Sequence, residues 1–176
     1  MPQRREEVIL VDQVGQMIGT ADKMTVHTRE TPLHLAFSTH VYHPDGRILV
    51  TRRALSKLTW PGVWTNSFCG HPGPGEATED AVVRRAKREL GLKLHSIAVA
   101  LPEFRYRAVD ASGIVENEIC PVYTAVAEAD PAPAADEVMD WTWADPARLV
   151  ESVRLTPWAF SPWLVLQLPL LYPANA

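Results

Sequence analysis

A thiol and an imidazole lie two residues apart near the middle of the chain. Cys69, Gly70 and His71 belong to the segment TWPGVWTNSFCGHPGPGE at residues 59–76, which is rich in proline and glycine yet holds two tryptophans. Alternate residues of an extended backbone face the same side, and glycine allows a ligand to approach the backbone closely. These residues leave two interpretations open: a thiol that does chemistry beside an imidazole, or a small buried cysteine next to a surface histidine.

Two carboxylates have the same spacing in the segment VENEICPVY. On a strand, Glu116 and Glu118 would point to one face and Asn117 to the other. Two like charges so close together are costly unless a cation or a shared proton compensates them. The apolar residues that follow favour an interior strand, and therefore a metal site or an acid with a perturbed pKa. An exposed, charged strand edge is the alternative.

Two further histidines, His27 and His34, lie seven residues apart at the entry to the first long predicted strand. Taken alone, each is typical of a surface or hydrogen-bonded histidine. If both converge with His71 and the two glutamates, the five nitrogen and oxygen donors would suit a divalent first-row metal such as Mn²⁺, Fe²⁺ or Zn²⁺.

Basic residues cluster in sequence just before the same segment and on the helix predicted after it. Arginine binds phosphate oxygens in a bidentate manner and lysine acts as a point charge, so together they are candidate partners of a diphosphate. A solvated basic face is the alternative for any one of them. The residues are Lys23, Arg52, Arg53, Lys57, Arg84 and Arg85.

The composition is that of an ordinary globular protein. The 176 residues are 47% hydrophobic and 22% charged, and 17 basic against 21 acidic residues leave a formal net charge of −4, which does not favour nucleic acid. With only Cys69 and Cys120, a disulfide framework is not expected, and both are predicted to be reduced thiols in a cytoplasmic protein. The most apolar stretch, at residues 163–171, is interrupted by Gln167 and Pro169 and falls far short of the roughly 20 residues that span a bilayer.

Strands scattered among a few helices indicate one α+β domain with a mixed sheet, to which residues 1–22 contribute an N-terminal strand or tail. A Pro44-Asp45-Gly46 turn predicts a hairpin, and Gly91 marks the end of a helix predicted over residues 77–90. Residues 128–137, EADPAPAADE, are predicted to form a surface loop. The predicted strands are 8–12, 34–42, 47–51, 104–108, 116–127 and 138–143, and two further helices are predicted to begin at Asp145-Pro146 and Ser161-Pro162.

The helix and the loop before it resemble the Nudix box, a loop–helix–loop motif that holds magnesium against a diphosphate. The usual pattern is G-x5-E-x7-R-E-U-x-E-E-x-G-U, where U is aliphatic. The matching residues here are Gly70, Glu76 and residues 84–92. Arg85 and Arg88 stand where the pattern has glutamates, and of the metal-binding cluster only Glu89 remains. These departures argue against a hydrolase that needs several carboxylates to hold its metals.

Longer blocks resemble type I isopentenyl-diphosphate isomerases, a Nudix-fold family that does not hydrolyse its substrate. The blocks are RRALSKLTWPGVWTNSFCGHP, FRYRA, GIVENEICPVY and FSPW, and the resemblance covers roughly residues 23–163. It implies a Nudix-like mixed β-sheet flanked by helices, with an isomerase domain at residues 23–176. It also implies interconversion of isopentenyl and dimethylallyl diphosphate, by protonation at C4 and deprotonation at C2, as a supply for isoprenoid biosynthesis.

The resemblance also implies a role for individual residues. The catalytic groups would be Cys69 and Glu118, with Tyr106 assisting. A tightly bound Mn²⁺ or Zn²⁺ would be held by His27, His34, His71, Glu116 and Glu118. Glu89 would bind the Mg²⁺ that accompanies the substrate diphosphate. The substrate would be contacted by Lys23, Arg53, Lys57, Trp163 and, as a weaker candidate, Arg85.

The expected partner is a small diphosphate, with no nucleic acid and no membrane, and the expected state is a monomer or weak homodimer. Two rival functions are a Nudix hydrolase of a nucleoside diphosphate derivative and a metal- or diphosphate-sensing module without catalysis. Cys120 is predicted to be a buried structural thiol. His40, His43 and His95 are predicted not to be ligands.

Overall fold

The computed structural model describes residues 6–174, which form two β-sheets and three α-helices. The strands of this part are β1 (Glu7–Val11), β2 (Met17–Asp22), β3 (His34–Leu35), β4 (Phe37–Tyr42), β5 (Ile48–Arg53), β6 (Trp64–Thr65), β7 (Phe68–Gly70), β8 (His95–Leu101), β9 (Arg105–Val109), β10 (Val115–Ile119), β11 (Val122–Val126) and β12 (Val138–Ala144). The helices are α1 (Thr78–Leu90), α2 (Pro146–Leu155) and α3 (Pro162–Leu171), with a 3-10 turn at Pro157–Ala159. The predicted α+β class with mixed sheets is confirmed.

The strands are divided between a smaller and a larger sheet. Sheet 1 has the order β2-β1-β3-β10-β9. Sheet 2 has the order β12-β5-β4-β11-β8, and the short strands β6 and β7 pair with β5 and β4. Each sheet contains one parallel pair, β3 with β10 in sheet 1 and β4 with β11 in sheet 2. β3 leads into β4, and β10 leads into β11, so these two chain segments join the two sheets.

Two strands that the sequence predicted as continuous are each broken between the sheets. The predicted strand 34–42 is interrupted at Ala36, and the predicted strand 116–127 is interrupted at Cys120 and Pro121. Proline has no N–H to continue a ladder. The breaks lie side by side, since the backbone N–H of Ala36 donates to Ile119 O at 2.9 Å. The prediction of unbroken strands was wrong because each segment leaves one sheet and enters the other here.

Local signals set the ends of the helices as predicted. Gly91 ends α1 with a φ of 64°, and the backbone N–H groups at and after it donate to carbonyls of the last turn. The side chain of Asp145 accepts from Arg148 N at the start of α2, and that of Ser161 accepts from Leu164 N at the start of α3. The Pro44-Asp45-Gly46 turn joins β4 to β5, with His43 N donating to Arg47 O at 2.9 Å.

The main core lies between α1 and sheet 2. Its fully buried aromatic residues are Phe37 and Phe68, whose rings meet edge to face with centroids 6.2 Å apart. The inner face of α1 buries four apolar residues and two charged ones, which are Ala81, Val82, Ala86, Leu90, Arg85 and Glu89. Burial of Arg85 and Glu89 beside an apolar core is expensive unless they are paired. Within residues 6–174, none of the helices has the length and apolar character needed to cross a membrane.

Gly70 allows α1 to pack closely on β7. A Cβ at this position would come within 2.7 Å of both Arg85 Cγ and the Phe37 ring. We therefore expect Gly70→Ala to lower the free energy of unfolding by about 1–3 kcal/mol, the usual cost of overpacking a filled core. Urea denaturation measures this change. Gly19→Ala is the matched control, because a Cβ there meets nothing within 4 Å. Equal stability of the two variants would contradict the expectation.

Candidate active site and metal centre

Three histidine rings and one carboxylate converge beside the β3–β10 pair of sheet 1. His27 lies in the loop after β2, His34 in β3, His71 directly after β7, and Glu118 in β10. The ring centroids of His27 and His34 are 5.1 Å apart, those of His27 and His71 are 5.8 Å apart, and those of His34 and His71 are 5.1 Å apart. One candidate ligand atom from each of the four residues lies within 4.8 Å of the other three. Four of the five predicted ligands are therefore together, largely because His34 and Glu118 are register partners in the parallel pair β3–β10.

The hydrogen bonds of these histidines leave nitrogen atoms free for a metal. His34 Nδ1 donates to Pro32 O at 2.9 Å, so its Nε2 carries the lone pair. That Nε2 has no hydrogen-bond partner although the residue is fully buried, and the buried atoms His27 Nε2 and His71 Nδ1 also have none. Buried polar atoms are rarely left unsatisfied. An N₃O set with unpaired nitrogens fits a divalent first-row ion.

Glu116 stands at the side of this cluster. Its Oε2 lies 3.0 Å from His27 Nε2 and has no hydrogen-bond partner, while its Oε1 accepts from the Thr59 hydroxyl at 3.0 Å. The group of four mutually close donors does not include it. Its role as a fifth ligand stays a prediction.

The carboxylate and one of the three imidazoles have the charge states that a bound cation requires. Burial alone opposes ionisation of Glu118, but the nearby imidazoles of His34 and His71 hold the pKa of this carboxyl well below its usual range. Burial lowers the pKa of His71 to about 4. At neutral pH the carboxylate is therefore ionised and the His71 imidazole is neutral, and these are the forms that coordinate metals.

The Cys69 thiol belongs to sheet 2 and is held by polar neighbours. Its Sγ lies 3.3 Å from Ser38 Oγ and 3.4 Å from Asn66 Nδ2. Burial raises the pKa of the thiol to about 12, although these two contacts act in the opposite direction. The ionised Glu118 raises it further. The thiol is therefore protonated at neutral pH in the protein without substrate.

Aromatic rings form a wall beside the thiol and the carboxylate. Trp163, at the start of α3, is 3% exposed, and its ring contacts those of Tyr106 and Trp60 with centroids 5.8 and 5.4 Å apart. Tyr106 is also the cross-strand partner of Glu118 in sheet 1. Burial raises the pKa of Tyr106 well above its usual value, so its hydroxyl keeps its proton. The Arg53 guanidinium carbon lies 5.3 Å from the Trp163 ring centroid.

The predicted diphosphate ligands are engaged with protein groups in the described structure. Arg53 donates from Nε and Nη2 to the backbone carbonyl of Thr59 at 3.1 and 2.8 Å. Lys23 pairs with Glu6 at 2.5 Å, and Lys57 pairs with Glu137 at 2.5 Å. Arg53 therefore shapes the loop before Trp60 as well as being a candidate ligand.

Glu137 was missed by sequence reasoning, which placed it in a surface loop. Its side chain is only 15% exposed and bridges Lys57 to Arg85, with Oε1 at 3.4 Å from Arg85 Nη2. The same Nη2 lies 2.5 Å from Glu89 Oε2. Ala134 N also donates to Glu89 O at the end of α1, which draws the loop inward. No local pattern distinguishes Glu137 from the exposed acids beside it.

Four polar residues around the thiol were also missed: Ser38, Asn66, His40 and Gln167. Ser38, Asn66 and Gln167 had no assigned role, and His40 was predicted only as a non-ligand. All four are fully buried. A polar residue inside an otherwise apolar segment is the one signal that the sequence carries for them. His40 lies outside the group of metal-binding donors, and Cys120 is fully buried as predicted.

Comparisons with known proteins show first the class of protein to which the fold belongs. A model of the NUDIX domain matches residues 32–164. A crystal structure of a Deinococcus radiodurans protein covers 95% of this chain and 99% of its own, with a TM-score of 0.73 and 20% identity. The Escherichia coli dihydroneopterin triphosphate pyrophosphohydrolase covers 77% of this chain with a TM-score of 0.56 and 15% identity. At such low identity these structures establish the Nudix fold alone.

The sequence relatives are more specific. A protein of Clavibacter michiganensis subsp. michiganensis named isopentenyl-diphosphate Delta-isomerase is 64% identical over 176 residues, which are 100% of this chain and 91% of the relative. Proteins with the same name from Leifsonia xyli subsp. xyli and Paenarthrobacter aurescens are 64% and 57% identical, over 97% of this chain in both cases and 94% and 93% of the relatives. This chain belongs to the isopentenyl-diphosphate Delta-isomerase family of Nudix-domain proteins.

Proposed function

We propose that this protein interconverts isopentenyl diphosphate and dimethylallyl diphosphate. The observation that carries the proposal is the full-length similarity to proteins named for this reaction, at 57–64% identity. The fold by itself is shared with pyrophosphohydrolases and does not separate the two activities. The site argues against the hydrolase, because Arg85 and Arg88 stand where the Nudix box carries metal-binding acids.

The reaction adds a proton at C4 and removes one from C2, so an acid and a base are needed on a substrate with no acidifying group. In the direction of dimethylallyl diphosphate, Glu118 with Tyr106 gives the proton and the Cys69 thiolate accepts one. The roles exchange in reverse. A protonated thiol beside an ionised Glu118, as the pKa directions indicate, is the state from which the reverse direction begins.

The pocket walls suit a tertiary carbocation at C3. The face of the Trp163 ring would stabilise this charge by about 2 kcal/mol or more in a desolvated site. Trp163 and Tyr106 are in ring contact, so together they keep water away from the reacting carbons. The ring must be held rigidly against the thiol for both proton transfers to reach the same substrate.

Two cations are assigned to different parts of the site. His27, His34, His71 and Glu118, with Glu116 as the proposed fifth ligand, would hold Mn²⁺ or Zn²⁺, which would supply positive charge beside the acid. Glu89 would bind the Mg²⁺ of the substrate diphosphate. Burial raises the pKa of Glu89, which is 8% exposed, so its negative charge depends on nearby cationic partners.

The diphosphate would be held by Lys23, Arg53, Lys57 and Arg85. We also propose that the protein acts in the cytoplasm as a monomer or weak homodimer, with residues 1–22 as part of the same domain as residues 23–176.

Incubation with isopentenyl diphosphate in D₂O with Mg²⁺ tests the proposed activity. We expect deuterium in the dimethylallyl diphosphate product, because the proton added at C4 comes from an exchangeable group of the site. Mass spectrometry or NMR of the product measures it. Absence of both product and exchange would refute isomerisation. Release of phosphate or of an alcohol monophosphate would instead establish the hydrolase.

A further inference from the structure

The Cys69 sulfur is contacted by the side chains of two fully buried residues that had no assigned role. Ser38 Oγ lies at 3.3 Å and Asn66 Nδ2 at 3.4 Å from Sγ. The S–H bond turns about the Cβ–Sγ bond, so its direction is set by such neighbours. What holds Ser38 and Asn66 therefore also controls where the sulfur points.

The orientation of Asn66 is set by groups that only donate or only accept. Its Oδ1 accepts from Trp163 Nε1 at 2.9 Å, and an indole N–H is a donor only. Its Nδ2 donates to the backbone carbonyls of Thr39 at 3.1 Å and Phe68 at 2.8 Å, which only accept. A flipped amide would lose these three bonds, so the amide is fixed beside the Cys69 sulfur, with Nδ2 and Oδ1 each 3.4 Å from Sγ.

Ser38 is oriented by a second chain of hydrogen bonds. His40 Nε2 and Gln167 Oε1 are 2.8 Å apart, and since an amide oxygen only accepts, His40 is the donor. Gln167 Nε2 then donates to Ser38 Oγ at 2.9 Å. The hydroxyl group of Ser38 is then left to interact with the two sulfurs beside it, Cys69 Sγ at 3.3 Å and Cys120 Sγ at 3.5 Å, of which Cys69 is the nearer. Burial lowers the pKa of His40 to about 4, which agrees with a neutral ring whose Nδ1 has no partner.

Both series of hydrogen bonds start from one face of α3. Trp163 and Gln167 are four residues apart, so they lie one above the other on the helix. Both are buried, and the helix start is anchored to β6 by Ser161 N, which donates to Trp64 O at 2.8 Å. One helix thus contacts both polar neighbours of the thiol, and it also presents the aromatic ring that covers the substrate hydrocarbon in the proposed reaction.

We propose that α3 positions the Cys69 thiol through two hydrogen-bonded bridges, Trp163–Asn66 and Gln167–Ser38. The inference rests on the proposed function, for which the thiol and the indole must keep a fixed separation. Because both are tied to the same helix, a movement of α3 carries the base and the aromatic wall together. Asn66, Ser38 and Gln167 are then positioning residues of the reaction.

Gln167→Met tests the second bridge, because methionine keeps a similar length but neither accepts from His40 nor donates to Ser38. The side chain of Gln167 hydrogen-bonds to His40 and Ser38, and it has no proposed contact with the substrate. We expect kcat to fall by roughly 10- to 100-fold with KM unchanged, as for a displaced catalytic group. Ser38→Ala should have a similar effect, and in the Ser38→Ala background Gln167→Met should cause no further loss.

The matched control is Leu168→Ala, a fully buried change on the same helix that touches neither bridge. It should lower the unfolding midpoint while the folded protein keeps its kcat. If Gln167→Met behaves like this control, with reduced stability and full kcat, the inference is wrong. If Gln167→Met does not fold, Ser38→Ala removes the same bridge from its other end and decides the question in the same way.

A spectroscopic readout separates this inference from the proposed function. The chain has two cysteines, so Cys120→Ala leaves Cys69 as the only one. The S–H stretching band of Cys69 then lies in an infrared region free of other protein bands. We expect Gln167→Met to shift this band, since the Ser38 hydrogen loses its fixed direction. An unshifted band with unchanged kcat would overturn the inference. If the unsubstituted protein does not isomerise its substrate, the proposed function fails, and the band still decides whether the bridge positions the thiol.

Discussion

Replacement of Cys69 by alanine is expected to lower kcat for isomerisation by roughly 10²- to 10⁴-fold, the usual contribution of a general acid or base. KM should change little, because the basic residues proposed to bind the diphosphate lie elsewhere and binding to them would not require the thiol. The measurement is the steady-state rate of dimethylallyl diphosphate formation. Far-ultraviolet circular dichroism verifies that the fold is intact.

Two controls make the result specific. Cys120→Ala removes the other thiol, which is fully buried 3.5 Å from Ser38 Oγ and has no proposed part in proton transfer, and should keep most of the activity. Cys69→Ser keeps a hydrogen-bonding group next to Ser38 and Asn66 but is a much poorer base, so it should resemble Cys69→Ala. Full activity of Cys69→Ala would remove the thiol from the mechanism.

Replacement of His34 by alanine is expected to abolish tight metal binding. Loss of a hydrogen-bonding partner of a ligand already weakens metal affinity by roughly 10- to 100-fold, and loss of a ligand should cost at least as much. Isomerase activity should fall with the metal content, because the charge beside Glu118 is lost. Metal analysis of the purified protein by mass spectrometry measures the first effect, and the rate assay measures the second.

Removal of the metal should also destabilise the unsubstituted protein, which retains all four metal-binding donors. An ion that binds the folded chain only, at 100 times its dissociation constant, contributes about 2.7 kcal/mol to the free energy of unfolding. A chelator should therefore lower the thermal unfolding midpoint of the unsubstituted protein and leave that of His34→Ala unchanged. His43→Ala, which changes a half-exposed histidine paired with Asp45, is the control and should behave as the unsubstituted protein. Metal bound equally by both variants would refute the histidine centre.

The helix ends and the hairpin were predictable because their signals are local. A glycine after the last turn, a serine or aspartate before a proline, and a Pro-Asp-Gly turn act through their own backbone and their immediate neighbours. The structure confirms each of them, at Gly91, Ser161, Asp145 and residues 44–46. The breaks at Ala36 and Pro121 were not predicted, since they depend on how two separate sheets meet.

The sequence by itself determined which chemical groups this protein has and what they are spaced to do. The thiol at Cys69, the two acids at Glu116 and Glu118, and Arg85 in place of a Nudix-box glutamate were visible in the chain, and the family resemblance that they help to carry implied proton transfer on carbon rather than hydrolysis. Residue type and near-neighbour spacing are properties of the chain, and a resemblance over roughly residues 23–163 carried them to a family.

The tertiary structure decided which of these groups meet. His27, His34, His71 and Glu118 come from four separate segments, and only the pairing of β3 with β10 and of β7 with β4 brings them within 4.8 Å. The inward position of Glu137 has no sequence signal of its own, and for the two bridges from α3 the sequence shows only polar residues within apolar segments, not which of them pair. Contacts between distant residues follow from the register of strands and the packing of helices, which no local pattern specifies.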